Sequence, residues 1–344
     1  MIDLRSDTVT LPSKKMKQFI MESPLGDDVY GEDPSVNLLQ NKIAKIFNKE
    51  AGLFVPSGTM ANLIAVLTHC NRGDEVILGD KSHIFYYEAG GISAYGGIHS
   101  FQLHNNDDGT INLDDIKKSI RAIGNDHFPK TKLICLENTH NACYGAPIDT
   151  DYFNQVRKIA NKHNLSIHLD GARIFNAAIA LNKSVDILTR DCDTISCCLS
   201  KGLSAPVGSV LLGNKDFILK AKQIRKALGG GMRQAGLIAS AGIFSLDNMV
   251  DRISNDHENA KILAYELDKL NNIEINLNYV YTNIIFIYNR HGKVSNKELL
   301  NELEKNNIKI DYKGNSKFRL VTHSGLKKDD INSVVTVFKE ILKD

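Results

Sequence analysis

Between about residues 35 and 215 short apolar runs recur between segments of helical period, and that alternation leaves few folds open to the chain. The runs are Glu75-Val76-Ile77-Leu78, Leu133-Ile134-Cys135-Leu136, Ser166-Ile167-His168-Leu169, Thr194-Ile195-Ser196-Cys197-Cys198 and Ser209-Val210-Leu211-Leu212. Strands that are apolar on both faces belong in a sheet covered by helices on both sides, so the pattern predicts an α/β fold with an open, mainly parallel sheet. In such sheets ligands lie beyond the carboxyl ends of the strands. Polar residues just after each run are therefore where chemistry is expected.

Past about residue 245 the texture changes. A charged helix is expected around 251–270, a strand over Ile284-Ile285-Phe286-Ile287-Tyr288, a second charged helix near 296–305, a short strand at Phe318-Arg319-Leu320-Val321, and a final helix. This predicts a smaller α+β domain, since one core rarely serves all of a chain of 344 residues. The expected organisation is an N-terminal arm over 1–14, a large domain over 15–245 and a small domain over 246–344. The segment 226–236 reads as a glycine-rich loop between helical regions, a kind of segment that often carries function.

The charges nearly cancel, 42 Lys and Arg against 40 Asp and Glu, so no strong field is available to hold nucleic acid or an acidic membrane. The expected partner is a small molecule or another copy of the chain. No apolar run approaches the ~20 residues needed to cross a bilayer, and Met1 to Thr10 lack the layout of a signal peptide. Cys70, Cys135, Cys143, Cys192, Cys197 and Cys198 lie mostly in apolar runs without zinc-type spacing, and read as free buried thiols. A cytoplasmic protein is expected.

The most informative pair is Asp170 and Lys201. Each follows an apolar run, and their separation of 31 positions matches one βαβ step. Both would then emerge at one sheet edge. A pyridoxal phosphate site needs a lysine for a Schiff base and a carboxylate beside the pyridine nitrogen. It also needs a phosphate cradle, which Ser57-Gly58-Thr59 could supply, because the segment stands where Leu53-Phe54-Val55-Pro56 gives way to a helix whose first N–H groups are free. Taken singly, each feature has an ordinary reading as a helix cap or turn. His163 and His168 span a helix-to-strand junction with no third ligand in register, so no catalytic metal is expected. His168 reads as a packing residue beside Asp170.

The runs DLRSDTVT (3–10), GDDVYGEDP (26–34), SGTMAN (57–62), ENTHN (137–141), HLDGARIFNA (168–177), LSKGL (199–203), PVGS (206–209), GGGMRQ (229–234) and RLVTH (319–323) resemble the threonine aldolase family of fold type I pyridoxal phosphate enzymes, in family order and over nearly the whole chain. The resemblance implies that Lys201 forms the Schiff base, Asp170 partners the pyridinium nitrogen, Gly58 and Thr59 bind the phosphate, and His83 stacks on the cofactor ring. It implies that Arg173 and Arg319 grip the substrate carboxylate together with Ser6, and that His140 lies near the substrate hydroxyl. Arginine suits that task, because its planar fork bonds a carboxylate through two parallel contacts. Arg233 and Tyr30 resemble family residues that reach into the neighbouring subunit's site, so the resemblance also implies a homotetramer, a dimer of dimers with shared sites. The implied reaction is cleavage of the Cα–Cβ bond of threonine or allo-threonine to glycine and acetaldehyde.

Other readings are a β-eliminating lyase, a serine hydroxymethyltransferase, for which no folate pocket is visible, or a non-catalytic protein on the same fold, which would be expected to have lost Lys201 or Asp170. The chain departs from the usual family pattern at Ala142-Cys143-Tyr144-Gly145-Ala146-Pro147, which puts substrate preference in question. Tyr87, close to His83, is a further candidate for that choice.

Overall fold

The computed structural model describes residues 1–122, 124–290 and 294–343. The chain opens with the short strand β1 (Ile2–Asp3) and then supplies the main sheet: β2 (Ala51–Val55), β3 (Glu75–Gly79), β4 (His99–Leu103), β5 (Thr131–Glu137), β6 (Ser166–Asp170), β7 (Thr194–Cys198) and β8 (Ser209–Gly213). Their order across the sheet is β2-β8-β7-β6-β5-β3-β4. Only β8 runs against the rest, pairing antiparallel with both β2 and β7. Every residue of β3, β7 and β8 is buried, as strands packed on both faces must be.

Helices cover the sheet. The helix Gly58–His69 starts directly after β2 and is capped by Ser57, whose Oγ accepts from the Met60 N–H at 3.2 Å. The helix Gly236–Asn248 packs on Lys14–Glu22 and Pro34–Ile46, and the glycine-rich loop precedes it.

A second sheet is antiparallel, in the order β12-β13-β10-β9, with β9 (Ile273–Glu274), β10 (Ile284–Asn289), β11 (Ile308–Lys309), β12 (Asp311–Tyr312) and β13 (Lys317–Val321) following in the chain. The helices Ile253–Asp268 and Lys328–Leu342 bury Leu263, Leu267, Val334 and Phe338 with Ile285, Phe318 and Leu320 in a separate core. The largest core cluster runs in the chain from Met16 to Ile253, and the second takes Leu4 and most buried apolar side chains from Ala260 onward, with Ile284, Phe286 and Val321 in a small cluster of their own. The arm joins the second body: β1 pairs with β11 in parallel register, Ile2 opposite Ile308, and Leu4 is buried in the second core. No helix among the described residues is long and apolar enough to cross a membrane.

Candidate active site

Because β2, β3, β5, β6 and β7 run the same way, their carboxyl ends share one edge of the main sheet. The segments leaving that edge carry Ser57 to Thr59, His83, Glu137 to Asn141, Asp170 and Lys201. Asp170 pairs with Ser196 in the ladder, so Lys201 leaves the neighbouring strand at the same edge. A cavity of about 200 Å³ is lined by Ser57, Gly58, Thr59, Asn62, His83, Glu88, Asp170, Ser200 and Lys201. A larger one, about 520 Å³ between the arm and the His323–Leu326 turn, carries neither Asp170 nor Lys201.

Asp170 is the floor of the smaller cavity. Its Oδ2 accepts from Asn62 Nδ2 at 2.8 Å and its Oδ1 from the Ala172 N–H at 3.0 Å. Burial alone would push the carboxyl pKa up, but the charges of His83 and Lys201 and the two hydrogen bonds outweigh it and hold the value below the ordinary range. Asn62 is held in turn: its Oδ1 accepts from Ser196 Oγ at 2.7 Å and lies 3.1 Å from His168 Nε2. His168 is wholly buried, with Nδ1 on Thr194, and desolvation depresses it to about 3, so it stays neutral and braces Asn62 from below.

His83 begins the short helix after β3, its N–H donating to Glu137 Oε2 at 2.7 Å. Its Nδ1 lies 2.8 Å from Glu88 Oε1, which also accepts from Asn62 Nδ2 at 2.8 Å. Burial would lower the imidazole pKa, yet the Glu88 bond and the charges of Asp170 and Glu137 raise it. Burial raises Glu88 as well, against the pull of its His83 bond. The donor atoms of His83, Glu88 and Asp170 lie within 4.8 Å of one another, and Asn62 already bridges the two carboxylates.

His140 is almost fully buried and does not line the cavity. Its Nε2 stands 3.9 Å from Glu137 Oε2, and neither ring nitrogen has a hydrogen-bond partner among the described residues.

The two arginines named from the sequence come together from different bodies. Arg173, just after β6, donates from Nε and Nη2 to the two oxygens of Asp7, both at 2.7 Å. Despite complete burial, that pairing holds Asp7 at about 2. Arg319, on β13, donates to Asp311 at 2.9 Å and to the Arg5 carbonyl at 3.0 Å. Nη1 of each arginine donates to the same atom, Asn141 Oδ1, at 3.3 Å from Arg173 and 2.9 Å from Arg319. One neutral oxygen thus sits between two guanidiniums. Burial and the charge of Arg173 lower the pKa of Arg319. Ser6 Oγ caps the turn at Asp7–Val9, accepting from Thr8, so it is the next residue, Asp7, that touches Arg173.

Tyr30 and Arg233 lie outside this cluster. Arg233 is exposed and donates to Asp27 at 3.1 Å, its carbonyl accepts from the Asp28 N–H, and Tyr30 is 76% exposed. They form one outward-facing patch.

A family model described as beta-eliminating lyase matches residues 3–290. The chain is 44% identical to low-specificity L-threonine aldolase 1 of Arabidopsis thaliana, over 99% of this chain and 96% of that one. It is 42% identical to the low specificity L-threonine aldolase of Escherichia coli strain K12, over 99% of each. The chain belongs to the threonine aldolase branch of the beta-eliminating lyase family. Its fold matches that of the Leishmania major threonine aldolase, with a TM-score of 0.83 and 19% identity over 99% of this chain and 100% of that one.

The site suits the cofactor expected of a threonine aldolase. A Cβ at Gly58 would stand 2.6 Å from Cys198 Sγ, so any larger residue would have to displace that buried thiol or move the helix start off the sheet. Only the Met60 N–H of the first turn is taken by the cap, which leaves amides directed to an anion. Asp170 is ionised and Lys201 lines the same cavity. Among the residues that touch this machinery without having been singled out from the sequence are Asp7, Asn62, Glu88 and Asn141. Three of them lie in the quoted runs, and Asn62 is one helical turn past Gly58, on the same face. Glu88 had no motif to mark it.

Proposed function

We propose that the chain cleaves L-threonine and L-allo-threonine to glycine and acetaldehyde with pyridoxal phosphate as cofactor. The observation that carries this reading is the ionised, doubly hydrogen-bonded Asp170 sharing one cavity with Lys201 and the Gly58 helix start. When bound, pyridoxal phosphate supplies the electron sink for carbanion chemistry at Cα. Lys201 would be the amine that holds it, Asp170 would face the ring nitrogen, His83 would stack on the ring, and Ser57, Gly58 and Thr59 would take the phosphate. Arg173 and Arg319 exchange Asn141 for the substrate carboxylate and fix rotation about N–Cα, which decides which bond of Cα breaks. Asp7 at the arm keeps Arg173 in place, and Ser6 beside it joins the two arginines on the carboxylate. A base takes the β-hydroxyl proton as Cα–Cβ opens, Cβ leaves as the aldehyde carbonyl, and Cα takes a proton to become glycine. The candidates are His83, His140 or a water between them. The engaged Nδ1 of His83 leaves its Nε2 as the free ring nitrogen.

Tyr30 and Arg233 serve the site of a neighbouring copy, Arg233 toward the phosphate, in a cytoplasmic homotetramer built from dimers. Their exposure and the pairing of Arg233 with Asp27 rather than with a residue of its own cavity support this.

The test is product analysis with absorption spectroscopy. Purified protein should show a visible chromophore that borohydride fixes to Lys201, and should release equal acetaldehyde and glycine from L-threonine. Release of pyruvate and ammonia in their place would make it a β-eliminating lyase. If His140→Phe loses less than the ~10²-fold of general-base catalysis while His83→Phe loses far more, His140 is not the base.

A further inference from the structure

A second cavity, of about 170 Å³, adjoins the clamp and shares Asn141 and Arg319 with it. Its lining includes the cations Lys313, Lys317 and Arg319 and no carboxylate. The lysines are brought together by the turn from β12 to β13, where the Lys313 N–H donates to the Lys317 carbonyl at 2.8 Å. Gly314, Asn315 and Ser316 all have positive φ in that turn. Asp311, just outside, is shared between Lys313 at 2.7 Å and Arg319 at 2.9 Å. Lys317 has no carboxylate within ion-pair distance among the described residues. Its ammonium instead lies 4.2 Å from the Phe286 ring centroid and 5.0 Å from that of Tyr144, in the divergent 142–147 loop. Aromatic faces hold a cation without neutralising it. The cavity therefore carries a net positive charge beyond what the common carboxylate of an amino acid requires.

We propose that Lys313 and Lys317 form a subsite for a second anionic group, so that the chain also cleaves β-hydroxy-α-amino acids whose Cβ bears a carboxylate. This rests on the aldolase reading above. With 3-hydroxyaspartate the Cα–Cβ bond breaks, the hydroxyl proton goes to the base, and Cβ leaves as the aldehyde of glyoxylate. Cα takes a proton to give glycine, and no oxidant or reductant is consumed.

The experiment measures kcat/KM of the holoenzyme on 3-hydroxyaspartate and on L-threonine. It also measures, by calorimetry, the affinity for two amino acids that cannot be cleaved, L-aspartate and L-2-aminobutyrate. Wild type should bind L-aspartate about tenfold tighter than L-2-aminobutyrate, and the 3-hydroxyaspartate-to-threonine ratio should fall about tenfold in Lys317→Met, the loss of one charge-assisted contact. Lys317→Arg should keep the ratio. Lys313→Met, at an exposed turn position, serves if Lys317→Met does not fold. If threonine is not cleaved, the aldolase reading fails. If threonine is cleaved but the ratio is the same in wild type and Lys→Met variants, or Lys317→Arg loses it as Lys317→Met does, the lysines are structural and the subsite is refuted. A uniform rise of KM for both substrates would also refute it, because the lysines would then serve the common carboxylate.

Discussion

Asp7 and Arg173 form a buried, bidentate pair, and a guanidinium left in that position without its carboxylate is costly. Asp7→Asn should lower the unfolding free energy by about 3 kcal/mol at pH 7. The Asp7 carboxyl is held at about 2 against an ordinary 3.8, so its contribution is complete above 3.8 and is lost as the pH falls toward 2. Urea unfolding of the two proteins should therefore differ most near neutrality and converge in acid; curves that stay parallel would contradict the assignment. Glu88 acts on His83 in the opposite sense, raising its pKa, so the imidazole keeps its proton to higher pH. If neutral His83 is the base, the acidic limb of the kcat/KM profile lies at that raised value, and Glu88→Gln should move it to lower pH. Residues of this kind are hard to see in a sequence. Asp170 and Lys201 announce themselves by following apolar runs, whereas Asp7 is placed only by Arg173, far along the chain, and Glu88 follows no apolar run that would mark it.

At the scale of elements, two glycines set how closely backbone approaches the site. Gly58→Ala places a methyl 2.6 Å from Cys198 Sγ and must displace that thiol or push the helix start off the sheet, so cofactor affinity, titrated into stripped protein, should fall about tenfold. Gly109 has φ +82°, and a Cβ there would meet His140 Cβ at 2.7 Å. Gly109→Ala should cost about 2 kcal/mol in thermal unfolding, through backbone strain and the displaced imidazole. The five apolar runs all appear as strands because both faces of the sheet are covered. β4 escaped the reading because it is an edge strand with exposed His99 and Gln102. The reversed direction of β8 has no counterpart in its sequence, since burial on both faces looks the same whichever way a strand runs. β1 and β11, two residues each, are too short for any periodicity.

At the scale of the whole molecule, the N-terminal arm ties the two sheets together: its first residues pair with β11 and its Asp7 binds Arg173 just after β6. If each site also draws on the Tyr30 and Arg233 patch of a neighbour, mixing Lys201→Ala with Arg233→Ala subunits should restore activity to roughly a quarter of wild type, since half of the dimers formed carry one intact site. No recovery on mixing, with each variant still assembled, would place Arg233 outside catalysis. The meeting of Arg173 and Arg319 on a single amide oxygen has a bearing on what the protein ignores. Each guanidinium already holds one carboxylate, Arg173 that of Asp7 and Arg319 that of Asp311, but between them stands only the neutral amide of Asn141. A ligand carboxylate there would meet two cations at once, whereas an amino alcohol would bring no charge in exchange for the amide, so threonine should bind tighter than its amino-alcohol analogue.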